Sequence, residues 1–211
     1  MERVTKVKIC GITNLDDARL SIKFGADMLG FNFYHGSKRY VSPEEVDAFV
    51  QELDPSISKI GVFVNASIEE ILFARTLGNL DTVQLHGDET AEFISEVRKN
   101  MDTRIIKAVR IVSQKEMDEL ATLGADGFLL DSFSATEYGG TGRAFDWSLA
   151  SESSARSGNI YLAGGLTAEN VADAIRIVQP YAVDVASGVE SSPGKKDPNK
   201  LEAFIRNAKS A

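Results

Sequence analysis

A chain of 211 residues, 43% hydrophobic and 26% charged, has the balance of a folded globular protein and the length to bury a substantial core. Its 31 acidic residues against 23 basic ones leave a net charge of −8, which argues against a nucleic-acid surface, because phosphate backbones are gripped by clustered lysine and arginine. One cysteine permits no internal disulfide, no apolar run is long enough for a membrane span, and MERVTKVKIC lacks the apolar core of a secretory signal, so the cytoplasm is the expected setting.

Eight short β-branched or apolar runs follow one another: KVKIC (6–10), DMLGFNF (27–33), KIGVFVN (59–65), TVQLH (82–86), RIIKAVR (104–110), GFLLDS (127–132), IYLAG (160–164) and AVDVAS (182–187). Most are continuously apolar rather than alternating, as parallel strands covered on both faces should be. Amphipathic stretches fill the gaps: NLDDARLSIKFG, SPEEVDAFVQEL, SIEEILFARTLG, DETAEFISEVRK, SQKEMDELATLG, the serine-rich FDWSLASESSARSG, TAENVADAIRIV and PNKLEAFIRNAK. Ser42, Pro43 and Glu45 spell a capping-box start with proline in the first helical position. The run GKKDPNK (194–200) reads as a solvated loop before the last helix.

Eight such alternations without a linker or low-complexity stretch leave no material for a second domain, so residues 1–211 are expected to form one (β/α)8 TIM barrel with eight parallel strands. A doubly wound open sheet competes, but it usually carries a glycine-rich nucleotide turn after its first strand, where this chain has CGITN. FGAD (24–27) and LGAD (123–126) precede the second and sixth strands, an echo that suits a barrel of two similar halves.

Barrels of this kind place their chemistry where the strands end. Those eight places carry Cys10, the loop FYHGSKRY, Asn65, His86, Arg110, Asp131, Ala163–Gly165 and Ala186–Gly188. The glycine-rich ends of strands seven and eight, LAGGLTAEN and VDVASGVE, let an anion approach main-chain N–H groups, which suits a phosphate, although tight turns alone would also use glycine. A lone cysteine is most often a small buried hydrophobe; at the end of strand one, Cys10 becomes a candidate base. Asp131 closes an apolar strand, a costly place for a carboxylate unless it is solvated, paired or protonated, and is the candidate acid. Going round the ring from strand six to strand one crosses the two phosphate loops, so acid and base would flank a phosphorylated substrate and move protons at a sugar carbon. Arg39 in SKRY suits a second carboxylate gripped by its fork, or lies on the surface. His86 either lines the site or braces the strand end. Two scattered histidines and one cysteine give no metal-ligand spacing, so no metal is expected.

KICGIT, GVFVN, QLHGDE, LLDS with GGTGRAFDW, LAGGLTAENV and DVASGVESSPGKKD resemble, in this order and across nearly the whole chain, the phosphoribosylanthranilate isomerases of tryptophan biosynthesis. The resemblance implies a cofactor-free Amadori rearrangement of N-(5-phosphoribosyl)anthranilate to 1-(2-carboxyphenylamino)-1-deoxyribulose 5-phosphate. Asp131 would act as general acid on the furanose ring oxygen and Cys10 as general base at the sugar C2. Arg39 would hold the anthranilate carboxylate, and Gly164, Gly165, Ser187 and Gly188 the phosphate. His86 and Asp184 match further polar positions lining the site. The expected partners are a small phosphorylated substrate and, at most, a second copy of the chain, with no nucleic acid and no membrane. Departures are local: His35 and Gly36 stand where members of the family often carry proline or other residues, with altered loop mobility as the expected consequence. YGGTGR (138–143) is expected to act as a lid. The histidine-pathway aminoaldose isomerase is the nearest alternative, but it pairs two aspartates where this chain has Cys10 and Asp131. A catalytically idle phosphate-binding barrel is the other.

Overall fold

The computed structural model describes residues 4–110, 120–131 and 159–211. Eight strands, β1 (Lys6–Cys10), β2 (Met28–Asn32), β3 (Ser58–Phe63), β4 (Thr82–Leu85), β5 (Arg104–Arg110), β6 (Gly127–Asp131), β7 (Asn159–Leu162) and β8 (Ala182–Val185), close into a barrel in chain order. All neighbours are parallel, and β8 returns to β1 with Lys8 opposite Asp184. This is the expected TIM barrel. The described α-helices are α1 (Leu15–Phe24), α2 (Pro43–Val50), α3 (Ile68–Leu77), α4 (Ala91–Asn100), α5 (Val171–Val178) and α6 (Pro198–Lys209). The expected helix FDWSLASESSARSG, most of SQKEMDELATLG, and the segments GGTGRAFDW and YGGTGR lie outside the described residues.

Local chemistry sets the helix starts. Ser42 and Ser67 each accept the N–H of a glutamate three residues on, while Glu45 and Glu70 return a bond to the cap N–H, so two orphan donors are satisfied at each end. Asn14, Thr90 and Asp197 cap α1, α4 and α6 with side-chain oxygens. Two hydrophobic layers result. Ile9, Leu29, Val83, Ile105, Phe128 and Val183 pack outward against the helices, and Met28, Ile60, Ile106, Leu129, Tyr161 and Ala182 form a smaller cluster inside the barrel.

The FGAD and LGAD echo has a physical meaning at the amino-terminal rim. Asp27 Oδ2 accepts the N–H of Val7 at 2.7 Å while its own N–H bonds to the Val7 carbonyl at 2.9 Å. Asp126 does the same to Ile105, at 2.7 and 2.8 Å, and so does Asp81 to Lys59, at 2.8 and 3.1 Å. An aspartate just before β2, β4 and β6 thus forms a two-bond clamp on the strand before it, joining β1 to β2, β3 to β4 and β5 to β6.

One feature departs from expectation. GKKDPNK is not a wholly solvated loop: Lys195–Lys196 pairs antiparallel with Glu190–Ser192 as a small hairpin, and Lys196 is only 2% exposed. Its main-chain N–H bonds to Asp17 and its ammonium to Glu190 and the Cys10 carbonyl, which offset part of the cost of burying the charge, although burial still holds its pKa below the ordinary value. The hairpin closes over the end of β1.

Candidate active site

Strand alternation determines which side chains meet. Leu129 and Ala182 belong to the inner cluster, so Asp131 and Asp184, two residues on, face the same interior nearer the carboxyl-terminal mouth. Lys8 and Cys10 share the inner face of β1. The ring order β6, β7, β8, β1 puts the loops of β7 and β8 between Asp131 and Cys10.

Cys10 ends β1, and Gly11 follows it with a φ of +74°. A Cβ at Gly11 would lie 2.6 Å from Arg39 Cδ, so the glycine both makes the left-handed turn and leaves room for the arginine stem. The guanidinium is in turn held by Glu190: Nε donates to Oε1 at 2.8 Å and to Oε2 at 3.1 Å, and Nη2 donates to Oε2 at 2.7 Å. Lys196 Nζ donates to Glu190 Oε1 at 3.1 Å and to the Cys10 carbonyl at 2.6 Å, completing a chain of contacts from Arg39 to the backbone of the cysteine. Burial works against the Glu190 carboxylate, yet Arg39 and Lys196 together hold its pKa below the ordinary range. The fork uses Nε and Nη2 on Glu190, and a guanidinium has further N–H donors on its other edge.

Beneath Cys10, Lys8 is fully buried, with Nζ 3.0 Å from each carboxylate oxygen of Asp184. Burial lowers the pKa of the Lys8 ammonium, but the charge of Asp184 and then the cysteine outweigh it, and the group is held above its ordinary value. Burial pushes the Cys10 thiol up; Lys8 opposes that shift, Asp184 adds to it and Lys196 opposes it.

Across the mouth, Asp131 is 8% exposed and its Oδ2 lies 3.5 Å from His86 Nε2. Gln84 Nε2 is 3.0 Å from His86 Nδ1; with the amide donating, the imidazole proton sits on Nε2, toward Asp131. The loop carrying His86 is pinned from behind: Glu89 accepts the N–H of Asn65 at 2.8 Å and of Gly87 at 2.9 Å, and Lys107 holds Glu89 at 2.8 Å. His86 therefore faces Asp131 instead of merely bracing its strand.

Gly164 and Gly165 both have positive φ, 78° and 68°, and Asn170 fixes their loop by donating to the Gly165 carbonyl at 2.9 Å. After β8 comes a 3-10 turn, Ser187–Val189, whose first N–H groups have no partner within the turn. The two loops touch at Gly188, where a Cβ would come 2.0 Å from the Leu166 carbonyl. Close loop packing is thus an independent reason for that glycine.

The geometry brings Cys10, Arg39 and Asp184 together on one side of the mouth and Asp131 with His86 on another, with Gly164, Gly165, Ser187 and Gly188 on the adjoining loops between. Sequence reasoning missed Lys8, Glu190 and Lys196. A lysine two residues before Cys10 in an apolar strand was the available signal for Lys8. Among the described residues no group of histidine, cysteine, aspartate and glutamate is arranged to hold a metal ion, and no helix is long and apolar enough to cross a membrane.

Comparison with known proteins places this geometry in context. Residues 7–207 match the family model described as N-(5'phosphoribosyl)anthranilate (PRA) isomerase. The chain is 48% identical over 206 residues to the N-(5'-phosphoribosyl)anthranilate isomerase of Trichlorobacter lovleyi, covering 98% of each chain. Among solved structures, the phosphoribosyl anthranilate isomerase of Thermotoga maritima superposes with a TM-score of 0.91 at 45% identity, covering 98% of this chain and all of that one (100%). A phosphoribosyl anthranilate isomerase in complex with reduced 1-(o-carboxyphenylamino)-1-deoxyribulose 5-phosphate gives 0.87 at 42% identity, with coverage of 98% and 100%.

Proposed function

Because the chain belongs to the N-(5'-phosphoribosyl)anthranilate isomerase family, we propose that Cys10 is the general base and Asp131 the general acid of its reaction. The enzyme catalyses the Amadori rearrangement of N-(5-phosphoribosyl)anthranilate to 1-(2-carboxyphenylamino)-1-deoxyribulose 5-phosphate in tryptophan biosynthesis. Asp131 donates a proton to the furanose ring oxygen; the C1–O bond breaks and the nitrogen lone pair forms a protonated Schiff base. The iminium acidifies the C2 proton, which the Cys10 thiolate removes, and the C2–H electron pair moves into an enolamine that tautomerises to the ketone. Proton transfers account for every bond change, so this reading requires no cofactor.

The observation that carries the assignment is that the two groups end β1 and β6 on the inner face, with the glycine loops of β7 and β8 between them. Gly164, Gly165, Ser187 and Gly188 would hold the phosphate through main-chain N–H groups. Arg39 presents the edge not engaged by Glu190 to the anthranilate carboxylate. His86 orients Asp131. The proposed working form is a single domain over residues 1–211, a monomer or homodimer in the cytoplasm.

The test is fluorescence-monitored conversion of phosphoribosylanthranilate by Cys10→Ala and Asp131→Asn, run beside the histidine-pathway aminoaldose. Each variant should fold and lose about a hundredfold or more in kcat. Near wild-type turnover by either one removes its role, and preference for the histidine-pathway substrate overturns the substrate.

A further inference from the structure

Lys8 is a fully buried charge that the reaction as derived leaves without a task. It occupies the interior of the barrel one layer below the mouth, where an ammonium is costly unless its environment compensates it. Asp184, across the seam where the barrel closes, provides that compensation through two equal contacts of 3.0 Å. A structural ion pair alone would be satisfied there. The position of Gly30 adds a second observation. This glycine stands opposite Cys10 on β2, and a Cβ built on it would lie 3.0 Å from Cys10 Sγ and 3.1 Å from Lys8 Nζ. Sulfur and ammonium therefore flank one small space that a side chain on β2 would fill, and neither is screened from the other by an intervening group from that strand.

We infer that the Lys8–Asp184 pair is a positioning device for Cys10: the carboxylate fixes the ammonium beneath the sulfur, and the ammonium favours the thiolate that takes the C2 proton. The inference rests on the proposed role of Cys10 as base. Without such a charge a half-buried thiol on this crowded inner face would resist ionising, as the upward push of desolvation on Cys10 indicates. The groups that act on the sulfur come from four elements: Lys8 on its own strand, Asp184 on β8, Lys196 on the hairpin and Arg39 on the loop after β2. Lys196 is committed to Glu190 and to the Cys10 carbonyl, and Arg39 to Glu190. Lys8 alone of the three cations has its charge directed to the inner face on which the sulfur lies. Its partner Asp184 has the opposite effect on the thiol, so the pair carries two adjustable and opposed influences on one atom.

Because Cys10 is the only cysteine, its ionisation can be read directly in the full-length protein from the rate of alkylation by iodoacetamide across a pH series. The midpoint of that profile reports the thiol pKa and the plateau reports access, so a change in packing moves the plateau and leaves the midpoint in place. Lys8→Met should move the midpoint up by about one pH unit or more, slowing alkylation near neutrality about tenfold. Asp184→Asn, which keeps the ammonium and removes the opposing carboxylate, should move the midpoint down. Lys8→Arg should restore most of the wild-type profile. Unmoved midpoints, or shifts of the same sign in Lys8→Met and Asp184→Asn, overturn the inference. Where Lys8→Met fails to fold, as judged by circular dichroism, the downward shift in Asp184→Asn decides the matter alone. The pH profile of kcat/KM for wild type and Asp184→Asn separates the two ideas. A thiol midpoint that shifts as stated beside a fixed turnover profile upholds the poising of the thiol and overturns Cys10 as base. An unmoved thiol midpoint overturns the poising whatever turnover does.

Discussion

Glu190 grips Arg39 through both carboxylate oxygens although 151 positions separate them in the chain. The contact ties the loop after β2 to the hairpin that follows β8, and Lys196 extends it to the carbonyl of Cys10. Three parts of the mouth are thereby held by one buried carboxylate.

Replacing that carboxylate should expose its importance. Glu190→Gln leaves two cations with reduced compensation and should destabilise the fold by about 3 kcal/mol at neutral pH, read by urea unfolding. The folded pKa of Glu190 lies below its ordinary value, so its contribution is complete above about pH 4.3 and is lost as pH falls through the folded value. Between neutral pH and that acid range the wild type should lose more stability than Glu190→Gln does; parallel losses would refute the account.

Arg39→Lys keeps the charge and discards the fork. It should raise KM for phosphoribosylanthranilate about tenfold or more with a smaller effect on kcat, because a lysine cannot bond Glu190 side-on while presenting a second planar edge. Steady-state kinetics giving unchanged KM would remove Arg39 from the substrate site.

Gly30→Ala places a methyl group within 3.1 Å of both Lys8 Nζ and Cys10 Sγ. Something must move, at a cost of about 1–3 kcal/mol. Turnover should fall about tenfold or more while the circular dichroism spectrum stays that of the wild type. An active, unperturbed Gly30→Ala enzyme would show that the sulfur and the ammonium tolerate displacement.

Asp81→Ala removes a rim clamp far from the chemistry, together with a 2.6 Å bond from Ser58 Oγ. It should cost about 2 kcal/mol in unfolding experiments and leave kcat and KM as they are. A comparable loss of kcat would mean that the two ends of the barrel are coupled.

The barrel is legible in the chain because each strand is a short, mostly apolar run set between amphipathic stretches, and alternation repeated eight times needs no distant information. Cys10 and Asp131 are legible for a related reason: once a strand is located, its last inward residue is located too. Lys8, Glu190 and Lys196 are not legible in this way, since each is acceptable only through a partner brought near by closure. A lysine in GKKDPNK looks solvated until Asp17, Glu190 and the Cys10 carbonyl gather around it. The FGAD echo was visible in the letters, but its meaning lies in hydrogen bonds to the strand before, and Asp81 makes the same bonds from GNLD without sharing the motif.

The aspartate clamps divide labour within the cylinder. The clamps reinforce three of the strand pairings at the rim opposite the proposed reacting groups, so substitutions in the loops at the other mouth do not remove those bonds. Evolution or an engineer can therefore redraw the upper loops for another aminoaldose while the lower rim remains chemically indifferent to the change.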